Sequence, residues 1–164
     1  MLSWRPITPM AGSLIGGCLP TLLEAVPQKN QNRKQMEVPF LDRYIMVLLG
    51  GATGSLMRYV LGTAIMARIG GRFPAGTIFI NITGSFLIGF LMTLWTDRLQ
   101  PHPNWRFLLV AGFLGGYTTF SSLEWETLSL VRDGGKWLGL LNVVGSVVLG
   151  YVAVWLGAAI ASKR

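Results

Sequence analysis

The apolar and polar positions divide the chain into a polar N-terminal stretch and four long apolar runs, at residues 44–69, 73–95, 105–131 and 137–160. Each run exceeds the roughly 20 residues a helix needs to cross about 30 Å of hydrocarbon. The pattern therefore predicts an all-α membrane protein with four transmembrane helices. The connections are short: Gly70-Gly71-Arg72 with Pro74 just beyond, then 96–104, then 132–136. They leave no room for a soluble domain, so the working parts lie within the membrane. Tyr44, Trp95, Trp105 and Trp137 stand at run ends, where an aromatic belt places them.

Within the runs, polar and small residues recur at helical spacing. Gly50, Gly54, Arg58 and Gly62 follow every four residues in the first run and so share one face, which allows a neighbouring helix to come close. Arg58 is costly there. It lies about 20 Å along the axis from the start of its run at 1.5 Å per residue, so its guanidinium either snorkels to the far interface or answers something inside. Thr77, Asn81 and Ser85 form a stripe on the second run, and Asn81 at its centre is either interhelical glue or a donor facing a permeating anion. Asn142, Ser146 and Gly150 repeat every four on the fourth. Each run thus carries one polar or small face, and those faces can meet.

The third run holds the least helix-like segment, Gly115-Gly116-Tyr117-Thr118-Thr119-Phe120-Ser121-Ser122. Two glycines and four Thr and Ser hydroxyls at membrane depth survive only when buried in protein or lining an aqueous path. The glycine pair with its Thr and Ser neighbours marks where the helix is expected to unwind, exposing carbonyl oxygens that bind a cation or are met by hydroxyls. Thr119, Ser122 and Glu126 fall on one strip, Phe120 and Leu123 on the next, and Glu124 on a different face.

Composition supports the membrane reading: 51% of the 164 residues are hydrophobic, 13% are charged, and the mean hydropathy is +0.50. A net charge of +7 could suggest a nucleic-acid binder, but Lys and Arg sit in the N-terminal stretch and at run ends, which is headgroup anchoring. Between the runs and at the C-terminus, Arg43, Arg98, Arg106, Lys163 and Arg164 fall on one side and Arg68, Arg72, Arg132 and Lys136 on the other. Such near balance hardly selects an orientation, but Lys29, Arg33 and Lys34 of the N-terminal stretch make it eight against four, so a chain that inserts both ways and pairs with an inverted copy is expected only for a start at Met36.

Three segments follow: 1–43, read as disordered or a mis-assigned extension ahead of a start at Met36; 44–161, the four-helix transmembrane domain; and 162–164, a short basic tail. Cys18 is alone, which excludes an internal disulfide, and His102 between two prolines reads as a loop residue. The runs contain no histidine, cysteine or lysine, and no phosphate-binding glycine loop or metal spacing is present, so an enzyme is not expected. Permeation remains. An amide, hydroxyls and phenyl edges all present positive ends, which favours an anion, and Arg58 raises the local potential for one.

These residues carry a family pattern. Gly50-Gly51-x-x-Gly54-x-x-x-Arg58-Tyr59, Gly76-Thr77-x-x-x-Asn81-x-x-Gly84-Ser85, and above all Gly115-Gly116-x-Thr118-Thr119-Phe120-Ser121 with Glu126 resemble the Fluc/CrcB family of fluoride channels over all four runs. The resemblance implies a dual-topology antiparallel homodimer in the bacterial inner membrane. It exports fluoride down its electrochemical gradient and so relieves cytoplasmic fluoride toxicity. It further implies a structural sodium ion held by the backbone carbonyls of Gly115 and Thr118 at the break in the third helix. The fluoride path maps to Thr77, Asn81, Phe120, Thr119 and Ser146, with Arg58 and Glu126 as supporting charges. This chain departs from the pattern in having Leu123 where a second Phe is usual and Asn142 where a Tyr often stands. Leucine has no positive ring edge, so one aromatic station is missing. A small dual-topology drug exporter is the alternative, but it would place its working glutamate on the first helix, where this chain has Arg58.

Overall fold

A computed structural model describes residues 39–162, and they form helices and turns. The reading of 1–43 as an extension lies, up to residue 38, outside the described residues, as do residues 163 and 164 of the tail. Helix α1 (Phe40–Ile69) begins ahead of the expected residue 44. Pro39 precedes it in an extended conformation, and Phe40 packs on Tyr44 one turn later with ring centroids 4.5 Å apart, which gives the first turn a hydrophobic reason to form. It ends at Gly70, whose φ of 66° suits glycine and reverses the chain.

Helix α2 (Ala75–Leu94) starts after Pro74 and runs on through a wide π-type turn, Trp95–Leu99. The third run is divided. Helix α3 (Pro103–Trp105) continues into a π-type stretch, Arg106–Leu114, and then a single turn, α4 (Gly115–Tyr117). After two extended residues, α5 (Phe120–Arg132) resumes. Helix α6 (Lys136–Ser162) closes the chain.

Among the described residues, three stretches are long and apolar enough to cross a membrane unbroken: Phe40–Ile69, Ala75–Leu99 and Lys136–Ser162. The third of the expected spans is present as two shorter pieces. The structure thus agrees with an all-α membrane fold whose third helix is broken near its middle.

Helix α2 packs chiefly on α6, and α1 on the π-type first half of the third span and on α4. The glycine stripe read from α1 is what permits the second contact. Gly50 and Gly54 are buried, and a Cβ on Gly54 would overlap the Phe113 carbonyl and lie 3.0 Å from the Tyr117 nitrogen. Backbone meets backbone there, with no flexible side chain to move aside. Gly54→Ala is therefore expected to destabilise the purified protein by about 1–3 kcal/mol, as overpacking does in cores. Chemical unfolding in detergent measures it, and unchanged stability would mean the two helices are not this close.

Candidate functional site

The break in the third span organises the site. Thr118 (φ −80°, ψ 155°) and Thr119 (φ −149°, ψ 122°) are extended, whereas Gly115 and Gly116 stay helical. The unwinding thus falls within the expected run of glycines and hydroxyl residues, at its two threonines. Gly116 serves packing: a Cβ on it would sit 2.6 Å from the Gly51 carbonyl oxygen of α1. What holds the break open is Asn81. Its Nδ2 donates to the Thr119 carbonyl at 2.9 Å, and the Thr119 N–H donates to its Oδ1 at 2.9 Å. The amide thereby imitates a neighbouring strand and satisfies both backbone groups of Thr119, which in hydrocarbon is the condition for leaving a helix.

The hydroxyls of the run repair the rest. Thr118 Oγ1 donates to the Leu114 carbonyl at 2.9 Å. Thr119 caps α5, its Oγ1 accepting from the Ser122 N–H at 3.3 Å and donating to Ser122 Oγ at 3.0 Å. Tyr117, which sequence reasoning did not single out, is buried and shares a 2.9 Å hydrogen bond with Thr83. Thr83 lies two residues beyond Asn81, off the four-residue stripe, and so gave no periodic signal.

Thr119 lines two cavities. The first, of about 390 Å³, is walled by Asn81, Ser85, Thr118, Thr119, Phe120 and Ser146, with Gly115 and Leu123 also on its surface. The second, of about 520 Å³, holds Thr119 together with Arg58, Arg72, Thr77, Ser122 and Glu126. The predicted path residues are therefore divided. Asn81, Phe120, Thr119 and Ser146 surround one space, while Thr77 belongs to the other beside both supporting charges.

Thr77 donates to Glu126 Oε1 at 2.7 Å, and Glu126 Oε2 has no hydrogen-bond partner. Arg58 turns toward the break, its Nη1 donating to the Thr118 carbonyl at 3.5 Å. The guanidinium and the carboxylate thus share a cavity without pairing. Arg72 and Asp133, from the loops after α1 and α5, complete the charged lining of this second space. Neither belongs to a stripe, and only the fold brings them near Arg58.

Phe120 is 71% exposed on the protomer, while Ser146 is 6% exposed with an unpartnered Oγ. Asn142, Ser146 and Gly150 are all buried along one face of α6, as their spacing requires.

The donor set at the break suits a hard monovalent cation. The Thr119 N–H, which would close a helical turn on the Gly115 carbonyl, goes to Asn81 instead, and so that oxygen is released. The Thr118 carbonyl faces Arg58 through one long contact and keeps a second lone pair. Neutral backbone oxygens at an unwound helix are the ligands such ions take.

A model of the family described as "CrcB-like protein, Camphor Resistance (CrcB)" matches residues 45–158. A protein of Solibacter usitatus (strain Ellin6076) named fluoride-specific ion channel FluC is 64% identical over 121 residues, which cover 74% of this chain and 99% of that protein. Proteins of the same name from Acidobacterium capsulatum and Rhizobium meliloti (strain 1021) are 44% identical over 121 residues and 42% identical over 120. These alignments cover 74% and 73% of this chain, and 97% and 96% of the two relatives.

Proposed function

The chain belongs to the CrcB-like family, and from that premise we propose that it is a fluoride-specific channel of the bacterial inner membrane, carrying fluoride out of the cell down its gradient. It is a multi-pass conductor and not an enzyme. The observation that carries the residue-level reading is Thr119 in the lining of two cavities whose walls offer N–H groups, hydroxyls and a phenyl ring.

Fluoride is small and holds its hydration shell strongly, so a path must replace water with closely placed donors. Rejection of larger anions follows from the narrowness this imposes. Asn81 keeps one Nδ2 hydrogen beyond the one bound to Thr119. Ser146 Oγ, buried and unpartnered, has its proton free for the passing ion. Thr119 contributes its hydroxyl at the junction, and Phe120 its positive ring edge. Arg58 raises the potential of the second cavity for an anion, and Thr77 enters the line there with its hydroxyl anchored on Glu126.

The working unit in this reading is an antiparallel homodimer. Gly115 and Phe120 are both exposed at midspan beside the break, a place where a second copy would cover them. The Gly115 and Thr118 carbonyls would hold a sodium ion there. When bound, such an ion would offset the dipoles of these carbonyls at the break. For a chain starting at Met36, the near balance of basic residues on the two sides supports insertion in both orientations.

The test is a fluoride-electrode efflux assay on the purified chain in liposomes, with chloride as comparator and a start at Met36 tested beside the full length. Rapid fluoride release with chloride retained is the expected result. Equal release of both anions, or of neither, would overturn the reading.

A further inference from the structure

Tyr117 is buried, yet it lines neither cavity, and its hydroxyl has no part in the path described above. Its partner settles which way the bond between them runs. Thr83 directs its single proton at its own helix, donating to the Phe79 carbonyl at 2.8 Å and sharing it with the Ile80 carbonyl at 3.1 Å. Toward Tyr117 it can only accept, so the phenol is the donor of the 2.9 Å bond. At about 100° per residue, Gly84 falls between Thr83 and Asn81 around α2. The third span lies across that glycine: a Cβ there would overlap Thr118 Cγ2 and come 3.3 Å from Tyr117 Cδ1. Tyr117 thus reaches over Gly84 to Thr83 on one flank, while Thr119 pairs with Asn81 on the other. Thr118 sits between two points of attachment. The Phe113 ring stacks on Tyr117 from the preceding turn, with centroids 5.8 Å apart and planes 10° from parallel, and that contact needs no hydroxyl.

We propose that the Tyr117 hydroxyl and Thr83 form a second clamp on the break, which together with Asn81 fixes how Thr118 and Thr119 face the path. A segment held at one point can pivot about it; one held at two cannot. With both clamps closed, the Thr119 hydroxyl and the Phe120 ring stand on a fixed backbone where they line the first cavity. Groups that replace the water of a small ion must be held to within about 0.5 Å, and a pivot at the break would loosen them together. Tyr117 meets no ion in this arrangement. It is a positioning residue, acting through Thr119, and what its hydroxyl adds over a phenyl ring is direction. The effect on permeation rests on the fluoride reading; the clamp does not.

Tyr117→Phe keeps the ring against Gly84 and Phe113 and removes only the clamp, leaving Thr83 bonded to its own helix. Hydrogen exchange read by mass spectrometry over residues 115–122 tests the clamp apart from function, and it should be about fivefold faster in this variant than in the wild type. Unchanged exchange overturns the clamp. In liposomes at low protein density, the fraction of fluoride released counts vesicles that hold a folded channel, and the time course reports the rate of each. Tyr117→Phe should lengthen the time course about fivefold at an unchanged released fraction, the scale of one net hydrogen bond. Thr83→Ser, which keeps the acceptor, should match the wild type. Tyr117→Phe combined with Thr83→Val should be no slower than Tyr117→Phe alone, because the bond is already gone. A wild-type time course in Tyr117→Phe, or a loss confined to the released fraction, overturns the positioning role, and a slow Thr83→Ser or a slower double variant overturns Thr83 as the acceptor. If Tyr117→Phe does not fold, Thr83→Val cuts the same bond from the other side and is read in the same way. A chain whose exchange responds to Tyr117→Phe but which moves no fluoride refutes the channel reading and upholds the clamp.

Discussion

Asn81→Asp is expected to reduce fluoride efflux to the level of empty liposomes. The substitution changes one atom and acts twice. It replaces the Nδ2 donor with an oxygen facing the Thr119 carbonyl, so a 2.9 Å hydrogen bond becomes a repulsion at the point where the third span leaves its helix. A carboxylate also brings a like charge to the wall of the first cavity. Two unit charges about 4 Å apart at an effective dielectric constant near 20 repel by about 4 kcal/mol, which corresponds to about a thousandfold in rate. Electrode-monitored efflux at matched protein density measures the loss. A rate within a few fold of wild type would remove Asn81 from the path.

Phe120→Ile is expected to slow fluoride efflux about tenfold while the size of the purified particle stays unchanged. The ring is 71% exposed on the protomer, so it is not a core anchor whose loss would unfold the helices. Isoleucine keeps most of the apolar bulk and removes the ring quadrupole. Aromatic edge interactions are worth about 0.5–1.5 kcal/mol, and the upper end of that range is a tenfold change. Efflux and size-exclusion chromatography, run together, separate the two effects. An Ile variant that conducts like the wild type would place the ring outside the path, and one that falls apart would make it a structural contact.

The sequence made the helices legible because apolar run length and four-residue spacing are local properties. The polar faces of α2 and α6 are where periodicity puts them, with Asn142, Ser146 and Gly150 all buried. The third span was readable as broken within the run 115–122, and the structure narrows the opening to two residues of it. Glycine is the usual mark of an unwound helix, yet Gly115 and Gly116 stay helical and the chain opens at Thr118 and Thr119. The deciding interaction, the Asn81 amide on Thr119, joins positions 38 residues apart, and no window along one helix contains both.

The candidate site shows the same limit. Nothing in the spacing of Arg58 and Glu126 indicated that they would share a cavity without pairing, or that Thr77 would stand with them and not with Asn81. The residue types alone determined that this chain lives in a membrane, spans it with helices and offers an anion neutral donors, since hydrophobic length and hydrogen-bond chemistry belong to each residue wherever it sits. Tertiary structure alone decided which donors meet and where the third helix breaks. A buried hydrogen bond depends on the partner that arrives across the bundle, and that partner is set by how glycine-lined faces let whole helices approach.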